Sequence, residues 1–483
     1  MRRLLWIALA TAPFACTVGP DYERVGLDVP DAFRDATESQ TLASPADLDW
    51  FDVYTDPVLA GYLEEALASN DDLAIAAARI AEARAVSAIA ESRLFPSVDG
   101  SASLRSQGIA RDGFPIFPQP QDRDGGTIAL GGFASWELDL WGRFRRAAEA
   151  SDADLLATEL DRAALAQSLV VELSASYFRL LAADADLEIT RRTIESRRRS
   201  LDLVQARLDQ GIASKLELRQ AESLLQSAEL LVPQLQAART REENLIRQLM
   251  AGNPGPVLRG APLARQVATL EVPAGLPSAL LERRPDVLAA EAQLAATVAR
   301  IGEAKALLYP QVTLTGLGGV TSQQLSGLFN GSNLFWDAAI EVSLPIFNAG
   351  RLEANVAAAE ARAASAASAY RRTVRVAFRE VADGLVTLEK LKAFREIQEK
   401  RVAVLLDQST LSDARYRGGV TSYLEVLDSE RQLFDAQRSL VQARLDEVTA
   451  VGVLFRALGG GWTGTAAAAA TSGEETPLAD ASS

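Results

Sequence analysis

The chain has no histidine and a single cysteine among its 483 residues. The first absence removes the commonest general base and the commonest zinc ligand. The second excludes an internal disulfide and any multi-cysteine metal site. No Walker-type glycine loop and no dinucleotide fingerprint occurs, so no cofactor is expected. The formal net charge is −15, with no basic tail or cluster suited to a phosphate backbone, and nucleic acid is not an expected partner. Together these gaps remove most of the side-chain chemistry on which enzymes rely, and a protein that is not an enzyme is expected. A glycosidase using paired carboxylates is the enzymatic alternative, but no cleft-forming α/β or sandwich pattern supports it. Aromatic residues make up only 6% of the chain, whereas alanine is abundant. Small side chains in quantity suit helices packed closely on helices.

With 48% hydrophobic and 23% charged residues, the chain is of folded composition. Its length is enough for two or three domains. Arg2 and Arg3, the brief apolar run from Leu4 to Ala12 and the following Pro13-Phe14-Ala15-Cys16 have the architecture of an export signal over residues 1–15. The run is too short to cross a bilayer. Cys16 lies where a lipoprotein signal peptidase would leave a new first residue, and lipidation there would anchor the mature chain. Pro13 departs from the usual leucine of such a site, and the alternative is that Cys16 is lost with the signal or stays a free thiol. Residues 16–56 then read as an extended arm, rich in Gly, Pro, Asp and Ser as far as Pro45.

The remainder divides into two halves with one plan, residues 57–250 and 277–458, joined by a Pro/Gly-rich connecting segment over 251–276. A helical pattern over Pro57–Arg93 ends at Phe95-Pro96. A hairpin over about 97–141 follows, in which Val98, Gly100, Ala102 and Leu104 alternate with Ser97, Asp99, Ser101 and Ser103. No glycine or proline interrupts Arg143–Gln210, which predicts a helix about 100 Å long. A tip at 211–214 leads into a return helix to about Met250, with Pro233 as an expected kink. The second half repeats this order. It has a helix over Leu276–Leu308, Tyr309-Pro310, a hairpin over about 311–347, a long helix over Arg351–Arg417, a tip at 418–422 and a return helix to about Leu458. Residues 459–483 are low in complexity and read as a disordered tail.

The two tips are echoes of each other. Ala206–Leu225 and Ala414–Leu433 agree at eight of twenty positions, which marks an internal repeat. Gly418 and Gly419 should stop the helix before the second tip, and Thr421 or Ser422 should cap the helix after it.

Four strands with one apolar face cannot close a barrel, since the smallest membrane barrels use about eight. Open edges are not tolerated in lipid, because unpaired backbone groups there cost several kcal/mol each. The strands must therefore pair with other copies, and three chains would supply twelve. The apolar face would meet lipid, while Asp99, Glu137, Asp139, Asp337 and Glu341 would line a lumen. Two soluble hairpins packed on their own helices would show the same alternation, and an exported periplasmic coiled-coil scaffold without a pore remains the alternative.

At this level the sequence resembles the outer-membrane efflux channels, the outer-membrane factors of tripartite pumps. The resemblance rests on CTVGPDY at Cys16–Tyr22, LPSALLERRPDVLAAEAQLAA at Leu276–Ala296, IGEAKALLYPQVTL at Ile301–Leu314 and the two tip repeats. The RRPDV block and the Cys16 start resemble the lipoprotein branch that serves resistance-nodulation-division pumps. The resemblance implies a mainly α fold with a transmembrane β-barrel. It would be a homotrimer, with a twelve-stranded barrel of four strands per chain on a long α-helical coiled-coil barrel. It implies a lipid-anchored protein of the bacterial outer membrane with a large periplasmic portion. Its partners would be outer-membrane lipid, a periplasmic adaptor (membrane fusion) protein and an inner-membrane pump of that class.

The resemblance also implies that charged and polar residues at the second tip hold a closed state, which here are Arg415, Tyr416, Glu425, Asp428 and Arg431. Threefold symmetry would turn each into a ring of three, and Arg–carboxylate pairs exchange partners readily. Solvated helix ends would carry the same charges without any gate. For adaptor docking the shared tip positions are Gly211, Ser214, Leu216 and Glu217 in the first half, and Gly419, Ser422 and Leu424 with Glu425 in the second. The simpler possibility is that Gly and Ser only make turns while the leucines pack internally.

Overall fold

The protein is described by a computed structural model, which covers residues 17–27, 29–30, 53–108, 124–266 and 281–460. Cys16, most of the arm, the centre of the first hairpin, part of the connecting segment and the tail lie outside the described residues. In chain order, α1 (Pro57–Ser69) and α2 (Asp71–Ser92) precede the hairpin β1 (Ser97–Gly108) and β2 (Asp124–Leu138). Then follow α3 (Arg143–Asp209), α4 (Lys215–Glu229), α5 (Leu231–Leu249) and the single turn α6 (Leu263–Gln266). The second half has α7 (Pro285–Ala306), β3 (Gln311–Ser322), β4 (Leu334–Ser343), α8 (Arg351–Arg417) and α9 (Tyr423–Ala457). The long helices α3 and α8 have 67 residues each, so the repeat extends to element length. No described helix is long and apolar enough to cross a membrane.

Two helices differ from the expected boundaries, and the return helix is kinked one turn before Pro233, as expected. The pattern over Pro57–Arg93 is two helices, because Asn70 leaves helical geometry and its Oδ1 accepts from the N–H groups of Asp72 and Leu73. Asn70 thus caps the next helix instead of continuing the last one. The return helix kinks at Leu230, three residues before Pro233. Proline has no N–H to donate to the carbonyl four residues back, that of Glu229, so the ladder fails there. The helix expected over Leu276–Leu308 is interrupted at Arg284: residues 281–283 are helical, 276–280 lie outside the described residues, and a new helix starts at Pro285, where a missing N–H costs nothing. Arg284 grips the start of this helix through Asp286 at 2.6 Å and also reaches Glu380 at 2.8 Å.

The four strands form one antiparallel sheet in the order β1-β2-β3-β4. The pairing of β2 with β3 joins the two halves: Leu130 lies opposite Val320, and Trp136 opposite Leu314. Because side chains directly opposite each other share a face, the register assembles one apolar face. It carries Val98, Leu104, Ile128, Leu130, Trp136, Val312, Leu314, Val320, Trp336, Ile340 and Val342. The opposite face carries Ser97, Asp99, Ser101, Ser103, Thr313, Thr315, Asp337 and Glu341, with Phe133 and Leu317 paired among them. Asp139 is not a strand residue. It lies past the end of β2 and accepts from the N–H groups of Phe144 and Arg145 at the start of α3. Glu137 is likewise tied to Arg143 at 2.5 Å. Among the described residues, β1 and β4 each have one unpaired edge, and the large side chains of the apolar face are largely exposed.

The chain divides into two compact units that cut across both repeats. One comprises Met1–Gly26, Ile80–Thr158 and Ala290–Tyr370 and holds the sheet. Its described N-terminal segment forms a strap. Val18 donates its N–H to the carbonyl of Trp141, and Gly19, at φ +107, approaches Gly302 so closely that a Cβ would lie 2.4 Å from the Gly302 Cα. Arg24 forks onto Glu291 with two bonds of 2.8 Å, and Tyr22 donates to the same carboxylate at 3.0 Å. The other unit comprises Leu27–Arg79, Glu159–Ala289 and Arg371–Ser483. Its main core packs Leu59 and Leu63 with Leu173, Tyr177, Phe178, Ile246 and Phe455. At the edge of that core the buried Asp56 accepts from Tyr177 at 3.0 Å, from Ala261 N–H at 3.1 Å and from Gln266.

Burial pushes the Glu291 carboxyl up, but the hydrogen bonds from Arg24 and Tyr22 outweigh it and hold its pKa below the ordinary carboxylate value. A depressed carboxyl stabilises the fold above its unfolded pKa of about 4.3, and the contribution is lost as pH falls through the folded value. Arg24 is half exposed, so the pair is worth about 1–2 kcal/mol. Glu291→Gln should therefore lower the unfolding temperature at pH 7, and the gap from the parent protein should close as pH falls below about 4. Thermal unfolding followed at several pH values checks this.

Candidate functional site

The two hairpin tips lie within one compact unit, and the same backbone device builds both. Gly211 and Gly419 have φ of +74° and +75°, the left-handed region that glycine enters without cost. Gly211 N–H donates to the carbonyl of Leu208, and Ile212 N–H to that of Arg207. Gly419 N–H donates to the carbonyl of Tyr416, and Val420 N–H to that of Arg415. These are matching Schellman endings, which satisfy carbonyls left over at a helix C-terminus. Gly418 precedes the turn and keeps an ordinary backbone, so Gly419 alone supplies the left-handed residue.

The helices that leave the tips start differently. At the first tip, Ser214 and Glu217 close a capping box: Glu217 N–H donates to Ser214 Oγ at 3.2 Å, and Ser214 N–H to Glu217 Oε2 at 2.6 Å. At the second tip, Ser422 holds the cap position with no side-chain hydrogen bond to the helix. The equivalent Glu425 turns to Arg415, with Nε 3.5 Å from Oε1, and accepts from the Thr421 hydroxyl. One turn further on, Arg431 and Asp428 pair at 2.8 Å, and Gln432 donates to the same carboxylate. These hydrogen bonds hold the exposed Asp428 carboxyl below the usual carboxylate range.

Of the five residues expected to act together, the structure brings Arg415 to Glu425 and Asp428 to Arg431, both on the exposed surface. Tyr416 is elsewhere. It is buried in a small core with Val204, Leu218, Ala221, Tyr423 and Val426. Its ring lies 5.3 Å from that of Tyr423, and the Arg207 guanidinium covers it at 4.4 Å. Arg207 also donates to the carbonyls of Tyr416 and Arg417, each at 3.2 Å. An arginine of the first hairpin thereby caps the long helix of the second, where the helix dipole favours a cation. Below the tips, the buried Arg197 donates to the carbonyl of Leu224 at 2.7 Å, and burial pushes the nearby Glu430 carboxyl up.

The leucines expected at the tips do not pack internally: Leu216 is 67% exposed and Leu424 61%. Ile212 at 69% and Val420 at 68% stand beside them and escaped the sequence reading. The signal for them was present, since the repeat places Ile212 opposite Val420 directly after each turn glycine. The role of Arg207 carries no such signal, because its carbonyl partners lie 209 and 210 residues away. Among the described residues no cluster of His, Cys, Asp or Glu could hold a metal.

A family model described as outer membrane efflux protein matches residues 62–252 and 276–460. The chain is 33% identical over 461 residues to the solvent efflux pump outer membrane protein SrpC of Pseudomonas putida, covering 93% of this chain and 96% of that protein. It is 33% identical over 467 residues to the cation efflux system protein CusC of Escherichia coli, covering 95% and 99%. Among solved structures, the outer-membrane channel OprN superposes with a TM-score of 0.84 at 32% identity, over 92% of this chain and 100% of that one. The open state of the Neisseria gonorrhoeae MtrE outer membrane channel gives 0.85 at 30% identity, over 92% and 99%.

Removal of Arg207 should loosen the second tip specifically. Arg207→Ala should cost about 1–2 kcal/mol locally, which is roughly five- to thirty-fold in amide exchange. Hydrogen exchange should rise over residues 415–423 and stay unchanged in the Asp56 and Tyr177 core.

Proposed function

This chain belongs to the outer membrane efflux protein family, and from that premise we propose that it is the passive exit duct of a tripartite efflux pump. The observation that carries the reading is the four-stranded sheet: one continuous apolar face, a largely polar opposite face and two unpaired edges. In lipid such a sheet is stable only if its edges close, and three copies give twelve strands around a polar lumen. Asp99, Asp337 and Glu341 stand exposed on the lumen face. The scaffold alternative leaves the apolar face in water, where an area of that size on a soluble protein is a liability. Lipidation at Cys16 would add an anchor of the mature chain to the same membrane.

At the periplasmic end, Ile212, Leu216, Val420 and Leu424, presented by Gly211, Ser214, Gly419 and Ser422, form the docking surface for a periplasmic adaptor. Glu217 rigidifies the first tip through its capping box. The pairs Arg415–Glu425 and Asp428–Arg431 hold the closed state, with Tyr416 as the buried anchor beneath them. Exposed pairs of this kind are worth about 0–1 kcal/mol each, weak enough to be exchanged when an adaptor binds and sufficient in a threefold set to bias two states. Energy would come from an inner-membrane pump of the resistance-nodulation-division class. The relatives are named for solvents in one case and cations in another, which fits a duct whose selectivity resides in the pump.

Two measurements separate the parts of this proposal. In planar bilayers, Asp428→Ala combined with Arg431→Ala should raise the open probability of the purified protein; a channel as closed as the parent sinks the gate. Leu216→Asp with Leu424→Asp should abolish cross-linking to the adaptor while the oligomer persists, and retained cross-linking would reduce the tips to turns.

A further inference from the structure

The two halves meet in one place where their equivalence is completed, and in another where it is left open. After β2, Trp141 stacks on Tyr309, the residue that precedes Pro310 and β3, with ring centroids 4.8 Å apart at 26°. The Trp141 indole N–H donates to the carbonyl of Pro310 at 2.7 Å. This contact sits at the foot of the β2–β3 pair, which joins the halves. The repeat gives Trp141 a counterpart after β4, in Ile346-Phe347, and gives Tyr309-Pro310 a counterpart before β1, in Phe95-Pro96. Within the chain these counterparts do not meet. Ile346 is 92% exposed, Phe347 89% and Phe95 69%. They flank the two unpaired edges of the sheet, one at the end of β4 and the other at the start of β1.

The β1 side also has a receptacle. An open cavity of about 420 Å³ lies at the foot of β1 and β2, lined by Arg93, Phe95, Ser97, Trp136, Glu137 and Phe144 among others. Its floor is fixed: Trp136 donates its indole N–H to the carbonyl of Leu94 at 3.0 Å, and Glu137 is held by Arg143. Strand directions settle which parts would meet. All pairings in the sheet are antiparallel, so β4 runs opposite to β1 and its C-terminal end would lie beside the N-terminal end of β1 in an adjoining copy.

We propose that Ile346 and Phe347 of one copy seat in the cavity beside Phe95 of the next, repeating between subunits the Trp141–Tyr309 contact made within each chain. The occupant is a second copy of this chain, since each chain carries both the knob and the hole at opposite edges. A head-to-tail contact of this kind closes into a ring when the rotation allows. The inference rests on the reading that copies close the sheet and adds the contact that fixes its foot. Burial of two nearly fully exposed large apolar side chains per junction makes the clasp a determinant of assembly.

The test introduces the photoreactive residue p-benzoylphenylalanine at position 347 of the full-length chain and irradiates it in outer membranes. Light scattering of the purified protein reports the oligomer independently. The expected result is a trimer with covalent inter-chain bands, whose adduct maps by mass spectrometry to the peptides around residues 92–97 or 135–144. A trimer without such bands, or with the adduct elsewhere, overturns the clasp and leaves the duct reading intact. A monomer overturns the reading on which the clasp rests. As a second arm, Phe95→Ser should lower the temperature at which the oligomer dissociates by several degrees, and Phe95→Tyr, which reproduces Tyr309, should not. Equal dissociation temperatures for all three proteins would also overturn the clasp.

Discussion

The requirement that backbone N–H and C=O groups be paired away from water constrains everything else in this chain. Its sheet has an apolar face continuous across four strands, and that face fits lipid, where no water is available to satisfy an edge. Yet β1 and β4 each leave one edge open. The single chain is thus an incomplete object, and its incompleteness is of a defined kind: two complementary edges, antiparallel, with apolar side chains at their feet. The internal repeat explains how such a part arises. Half the required junctions are made within the chain, by β2 on β3 and Trp141 on Tyr309, and the equivalent junctions are left for copies.

The same repeat, used at the other end of the long helices, gives a different result. Both tips turn through a left-handed glycine and both expose two branched apolar side chains. They diverge in what holds them. The first is closed locally by its capping box, whereas the second depends on ion pairs at its surface and on Arg207 reaching across from the first hairpin. Local capping is hard to undo. Exposed ion pairs and a borrowed cap are easier to rearrange, and the proposal of a gate at the second tip rests on that difference.

Much of this was legible in the residues. Alternation with period two located all four strands, and the lack of glycine and proline located α3 within a residue of its end. Where the reading erred, a side chain overruled the pattern. Asn70 supplied a cap in the middle of an apolar periodicity, and Arg284 interrupts the helix expected over Leu276–Leu308, with Pro285 starting a new one. Asp139 fits the alternation of β2 but serves the helix that follows. Periodicity identifies faces and not partners, so the β2–β3 pairing across the halves could not be read from it. For the tips, the repeat named the positions, but it could not tell that Tyr416 is buried or that Arg207 covers it, because both depend on a contact between distant hairpins.

The central claim is that the open edges are closed by other copies in the membrane. Hydrogen exchange of the protein in outer-membrane lipid tests it most directly, strand by strand. If the account is right, the backbone amides of β1 and β4 are as protected as those of β2 and β3. If the outward-facing amides of β1 and β4 exchange freely while β2 and β3 stay protected, the edges are unpaired and the duct does not exist in that form.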